Sequence, residues 1–289
     1  MQGSKSGSAP TKSGSVEVWD ELFKSRDLSY SEKPDSQGKL FELIKVAFLE
    51  KLFQKYPTPY TLTPKTLEIG CGTAFVSLYF AKRGFEVTCL DTSKEVLAVA
   101  EKNFKSEGQS GKFIVGNAEK LPFKDNSFDI VMSFGLLEHF SDPKQAILEM
   151  VRVLKPGGLF FADIVPARFS VQSLGNLFNS LVVLGFWLVV KGQLKTAWQK
   201  FIHSYKPEYY ENSFSWREYR AMMIESGLWK VEVGGNRPVP RLTLPKSLDS
   251  LYAYSLQLIA IPWSWFDNYG GSLARWWGAG WWFWGTKSR

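Results

Sequence analysis

An apolar run that breaks into a glycine turn constrains this chain more than any other stretch. Thr66-Leu67-Glu68-Ile69 leads straight into Gly70-Cys71-Gly72-Thr73-Ala74-Phe75, and apolar positions follow at Val76, Leu78, Tyr79 and Phe80. That order predicts a buried parallel strand, a tight turn and the start of a helix. Glycine lacks Cβ and tolerates positive φ, so such a turn lets a ligand touch main chain. The spacing is not Gly-x-Gly-x-x-Gly, because Phe75 stands where the dinucleotide fingerprint has its third glycine.

Four further blocks follow in order. Glu86-Val87-Thr88-Cys89-Leu90 ends at Asp91, a carboxylate about 20 residues past the turn, where a doubly wound sheet binds a ribose diol. Phe113-Ile114-Val115-Gly116 leads into Asn117-Ala118-Glu119. Phe128-Asp129-Ile130-Val131-Met132-Ser133 leads into Phe134-Gly135-Leu136-Leu137-Glu138-His139-Phe140. After a helix, Val153-Leu154-Lys155-Pro156-Gly157-Gly158 turns into a strand at Leu159–Asp163. Glu68, Gly70 and Gly72 match the first motif of class I S-adenosylmethionine (SAM) methyltransferases, with Ala74 in place of its last glycine. Over roughly residues 65–165 the blocks resemble the type-11 group, which includes the quinone and sterol methyltransferases.

The resemblance implies an α/β fold: a Rossmann-like, seven-stranded, mostly parallel sheet with its last strand antiparallel. It also implies SAM as cofactor. The Gly70-Cys71-Gly72 backbone would hold its methionyl part and Asp91 the ribose, with Glu68 and Thr92 in the same cofactor site. Asn117 and Ala118 would meet the adenine; Asn117 stands where many relatives have Asp. Ser133 and Phe134 would line the sulfur. On the acceptor side it places Gly135 and Tyr30, and the basic insertion adds His203 and Tyr205. His139 sits in Leu137-Glu138-His139-Phe140-Ser141-Asp142-Pro143, close to the group's Leu-Glu-His-x-x-Asp-Pro. Its imidazole either takes a proton from the acceptor or bonds main chain and shapes the pocket. The Ser133–His139 loop is not Asn-Pro-Pro-Tyr, which argues against exocyclic amines of bases as acceptors. Two histidines and two cysteines make no zinc site.

Charge divides the chain. Residues 167–289 hold 14 Lys/Arg against 7 Asp/Glu, whereas residues 1–166 hold 21 of each. The tryptophans crowd the same end, at Trp263, Trp265, Trp276, Trp277, Trp281, Trp282 and Trp284. A basic, Trp-rich surface suits an anionic membrane or a large apolar acceptor. Nucleic acid is the other partner such charge could suit, but no RNA-binding module is visible. Cys71 and Cys89 read as buried thiols of a reduced, cytoplasmic protein.

Residues 1–15 read as a disordered tail. Residues 16–64 read as a helical cap, with one helix on Trp19, Leu22 and Phe23 and a second on Phe41, Leu43, Ile44, Phe48 and Leu52. The SAM-binding core occupies 65–166. A helical insertion follows at 167–212, with its helices over 168–206, and is expected to form with the second insertion an apolar lid over the acceptor side of the sheet. Its apolar run Leu181–Val190 is ten residues, too short to cross a bilayer unaided. The core resumes over 213–240, with Ser215 and Glu218 placed as a capping box. A second insertion covers 241–277, and a final strand 278–289. That strand gives Trp281–Trp284 a role in the core, leaving Trp263, Trp265, Trp276 and Trp277 for membrane or substrate. The expected activity is methyl transfer to a small lipophilic acceptor: a quinone, prenyl lipid or lipid-linked sugar. An RNA methyltransferase and a non-catalytic SAM-binding subunit are the alternatives. Both insertions are expected to touch the inner face of a membrane peripherally.

Overall fold

The computed structural model describes residues 20, 29–56, 63–205, 210–259, 263, 265–267 and 271–289, without the side chains of 190 and 202–205. The expectations for residues 1–15, for Trp19, Leu22 and Phe23, and for the side chains of His203 and Tyr205 lie outside the described residues. Along the chain run α1 (Gln37–Lys55), β1 (Lys65–Ile69), α2 (Phe75–Ala81), β2 (Glu86–Asp91), α3 (Lys94–Ser106), β3 (Lys112–Val115) and β4 (Phe128–Phe134). Then come α4 (Lys144–Val153), β5 (Leu154–Ile164), α5 (Val171–Gly185), α6 (Leu194–Tyr205), α7 (Trp216–Glu225), β6 (Leu228–Asn236), α8 (Lys246–Gln257), α9 (Gly271–Trp277) and β7 (Gly280–Lys287).

The strands form one sheet in the order β3-β2-β1-β4-β5-β7-β6. β7 runs antiparallel to both β5 and β6, and the remaining pairs are parallel. The chain winds outward from β1 in one direction and from β4 in the other. The carboxyl ends of β1 and β4 therefore form the switch point where open α/β sheets bind ligands.

Core layers cover both faces. Leu67, Ile69, Val131, Phe160, Tyr219, Trp281 and Phe283 pack with α4 and α7. Ile130, Phe161, Trp282 and Trp284 pack with Phe48 and Leu49 of α1 and Phe80 of α2. Alternation in β7 thus sends Trp281 and Phe283 to one layer and Trp282 and Trp284 to the other, as a strand's period of two requires. All four are buried. Ser215 accepts from Glu218 N, and Glu218 reciprocates at Ser215 N, so α7 starts on the expected capping box.

Four expectations are corrected. First, the apolar run at 181–190 is part of a longer helix: α5 begins at Val171 and continues through a π-helical turn, Phe186–Val190. Gln172 and Asn179 do not interrupt it. They lie on one face and hydrogen-bond residues 241–243, with Arg241 N 2.8 Å from Gln172 Oε1 and Thr243 N 2.7 Å from Asn179 Oδ1. A linear count of apolar residues sees a break where the helix presents a docking stripe. Second, Trp263 is not a surface tryptophan. It is 3% exposed and packs with Leu40, Ala253 and Leu256. Trp277 is half-buried and donates to Pro238 O at 2.9 Å, whereas Trp265 and Trp276 are exposed. Third, Lys155–Gly158 lies within β5 rather than before it, in a stretch where the β4 pairing shifts register. Fourth, the two insertions touch each other through α5 and 241–243, but the apolar face of α5 remains exposed instead of closing over the sheet.

Candidate active site

The glycine turn has the backbone its sequence demands. Gly70 has φ +65° and Gly72 +52°. A Cβ on Gly70 would lie 2.9 Å from Leu136 Cδ1, a terminal methyl that can move aside, so the positive φ is what favours glycine here. Ala74 also has positive φ, 54°, immediately before α2. An L-residue there costs roughly 1–2 kcal/mol, which explains glycine as the motif's usual residue. Gly70 N and Cys71 N donate to Leu90 O at 2.8 and 3.2 Å, tying the turn to the end of β2.

Asp91 sits beside that turn. Its Oδ2 accepts from Gly72 N and its Oδ1 from Ser93 N, both at 3.1 Å. Burial raises its pKa, and the amide donors oppose that rise. The helix that follows is capped by Ser93, whose Oγ accepts from Val96 N. Asp91 therefore holds the turn and keeps acceptor capacity beyond those two bonds, since a carboxylate offers about four lone-pair sites. Thr92, next to it, is exposed.

Glu68 takes a different part from the one expected of a ligand residue. It is 3% exposed, and its Oε2 accepts from Ser77 N in the first turn of α2 at 3.0 Å. Burial lifts its carboxyl to about 7. Its contact is with the helix rather than the turn's open side. Cys71 and Cys89 are buried and free. A hydrogen bond donated by the Cys71 thiol to Cys89, and then burial, push that thiol's pKa up. Asn117 spends its Oδ1 on Glu119 N at 2.9 Å, shaping a local turn beside buried Ala118.

The loop after β4 completes the arrangement. Ser133 is buried and pairs in register with Ile69. Gly135, with φ +62°, donates to Asp163 O at 2.9 Å. His139 Nδ1 lies 2.8 Å from Tyr210 O, and its ring also bonds the Gly135 main chain. Burial lowers its pKa, so the imidazole is neutral at pH 7. Two main-chain partners fix this ring between the β4 loop and the segment before α7. Tyr30 lies elsewhere than expected: its ring packs 4.8 Å from Phe75 and its hydroxyl donates to Glu32, on the α2 side of the turn.

Two features escaped the sequence. Lys45 of α1 is half-buried over the Phe134 ring at 4.5 Å, with Nζ 3.1 Å from Glu42 Oε2 and 3.7 Å from Asp163 Oδ2. Burial pulls its pKa down, but the two carboxylates outweigh this and raise it, so it stays charged. Asn236 donates to the other Asp163 oxygen. The only sequence signal was Glu42 and Lys45 three apart in a mostly apolar helix. Beside this cluster lies a cavity of about 140 Å³, lined by Leu40, Ile44, Phe48, Leu256, Trp263 and Trp282, with Asp267 in its wall.

Glu138 gives a pH signature. It is 2% exposed, its Oε1 accepts from Val165 N at 3.0 Å, and burial lifts its carboxyl to about 8 from the usual 4.5. Between those values the folded chain holds a proton the unfolded chain has lost. Stability from this group is therefore full below about pH 4.5 and lost as pH rises through about 8. Glu138→Gln keeps the acceptor and removes the titration. Urea melts at a series of pH values are expected to show a shallower loss between pH 5 and 8, by about 1–2 kcal/mol. An unchanged slope would place the titration elsewhere.

Comparison with known proteins agrees with this geometry. The methyltransferase-domain family matches residues 67–162. A demethylmenaquinone methyltransferase of Renibacterium salmoninarum is 41% identical over 112 residues, covering 38% of this chain and 44% of that protein. Norajmaline N-methyltransferase of Rauvolfia serpentina is 33% identical over 129 residues, covering 44% and 43%. The chain thus spans less than half the length of these curated relatives. A Haloferax volcanii methyltransferase, solved in complex with an activator protein, shares the fold over 96% of this chain and 98% of its own, with TM-score 0.56 and 16% identity. Over residues 67–162 the chain is therefore similar to type-11 methyltransferase domains.

Proposed function

We propose that the chain transfers a methyl group from SAM to a small lipophilic acceptor, a quinone, prenyl lipid or lipid-linked sugar. The observation that carries the cofactor half is the turn Gly70–Gly72 joined to Asp91 at the switch point of the sheet. SAM supplies a methyl already activated on sulfur, so the protein's work is chiefly proximity and alignment. Gly70 and Gly72 offer main chain to the methionyl part, and the Asp91 carboxylate accepts from the ribose diol. Ala118 and the Asn117 turn border the adenine. Ser133, Phe134 and Gly135 border the transferring methyl.

The acceptor half rests on the cavity between α1, α8 and β7. An engineered cavity of about 150 Å³ with apolar walls holds benzene, so one ring or one isoprene unit is the right size for this space. The likeness to a demethylmenaquinone methyltransferase supports a quinol ring. The norajmaline enzyme in the same comparison warns that the core alone does not choose the acceptor. We further place residues 168–206 and 241–277 at an anionic membrane surface on the cytoplasmic side, because the chain's whole positive excess lies after residue 166.

His139 serves this reading as a positioning residue, held by Tyr210 and Gly135. His139→Gln is expected to lower thermal stability, SAM affinity and turnover together. Loss of about 100-fold or more in kcat alone, with melting temperature and SAM affinity intact, would make it the general base instead.

A further inference from the structure

We propose that the α5–α6 hairpin is a membrane wedge, inserted into the hydrocarbon of one leaflet without crossing it. The proposal builds on the membrane contact above and is independent of what the acceptor is.

The sequence of the hairpin is one-sided in charge. From residue 164 to 207 there is no acidic residue, and the basic ones are Arg168, Lys191, Lys195, Lys200 and Lys206. Between Arg168 and Lys191 there is no charge at all. By length and composition, Val171–Val189 is apolar enough to cross a bilayer. Its attachment decides against crossing. Gln172 and Asn179 bind the 241–243 segment, so the first half of α5 is fastened to the body of the protein. About ten residues project past that anchor, some 15 Å of helix against a hydrocarbon core of about 30 Å.

The projecting part is apolar on the outside. Leu181 is 49% exposed, Phe186 47%, Val189 85%, Leu194 72% and Trp198 56%. α6 turns back and packs on α5 and its π-turn through buried Ala197. No described residue covers the outer face. Soluble monomers rarely leave so continuous an apolar surface in water. Trp198 stacks on Phe201 at 5.5 Å, and Lys195 and Lys200 lie in the same helix, the aromatic-and-basic mix that favours the headgroup layer. The hairpin leaves the sheet just after the carboxyl end of β5, the edge that carries Asp163 and faces Gly135. A lipid-borne acceptor would thus meet the protein next to its reaction site.

The test is flotation of the full chain with phosphatidylcholine vesicles, with and without phosphatidylglycerol. Inserted protein should stay bound in about 1 M salt, where the screening length falls to about 3 Å. Leu181→Glu combined with Val189→Glu alters only exposed positions and should reduce the partition coefficient at least about tenfold. SAM affinity and melting temperature serve as fold controls and should not move. Complete release of the wild type by salt would overturn insertion while leaving surface contact standing. No binding to either vesicle would overturn both. A stable dimer in light scattering that ignores vesicles would show that a second copy covers this face, and would also overturn the proposal.

Discussion

Asp91→Ala is expected to weaken SAM binding about 30- to 1,000-fold, a loss of roughly 2–4 kcal/mol. The size follows from what the carboxylate does. Hydrogen bonds to a charged group contribute about 1.5–3 kcal/mol each, and a ribose diol offers two donors. The variant also releases Gly72 N and Ser93 N, which loosens the turn itself. Asp91→Asn separates the two effects, because its amide oxygen still accepts one bond while the charge is gone. Isothermal calorimetry with SAM and S-adenosylhomocysteine reads both variants. The wild type should bind these and not NADH, since Phe75 replaces the third glycine of the dinucleotide fingerprint. An Asp91→Ala affinity equal to wild type would reduce Asp91 to a turn anchor.

Phe283→Ala is expected to cost about 3–5 kcal/mol of folding stability, a large share of the roughly 5–15 kcal/mol a domain has. Phe283 is fully buried in β7, between β5 and β6, with Tyr219 5.9 Å from its ring. Its removal leaves a cavity in a strand paired on both sides, where neighbours cannot collapse. Trp276→Ala, at an exposed position, should stay within about 0.5 kcal/mol. Urea midpoints of the two variants distinguish the aromatic residues of the core from those of the surface. Equal, small effects would mean that the C-terminal strand is not an element of the core.

What the sequence disclosed is what depends on local pattern. The turn at Gly70–Gly72 and Asp91 at a strand end follow from short spacings. The alternation of Trp281–Trp284 and the Ser215–Glu218 cap do so too, and each is found where expected. Tertiary partners were not legible. Lys45 meets Asp163 because α1 lies across the carboxyl end of β5, and no local pattern encodes that crossing. Trp263 and Trp276 look alike in sequence. One fills the space beside Leu40 and Leu256, while the other stays in solvent. The true length of α5 was hidden because its polar residues serve a docking face. Glu68 was read as a ligand residue by its motif position, and only the path of α2 shows its carboxylate turned to Ser77.

The most direct test of methyl transfer is to incubate the purified chain with methyl-labelled SAM and a total cell extract, then partition the label. Label is expected in the organic phase, with S-adenosylhomocysteine released in equal amount, and both signals should be lost in Asp91→Ala. Label recovered in RNA, or SAM bound with no label transferred to any fraction, would contradict the proposed reaction.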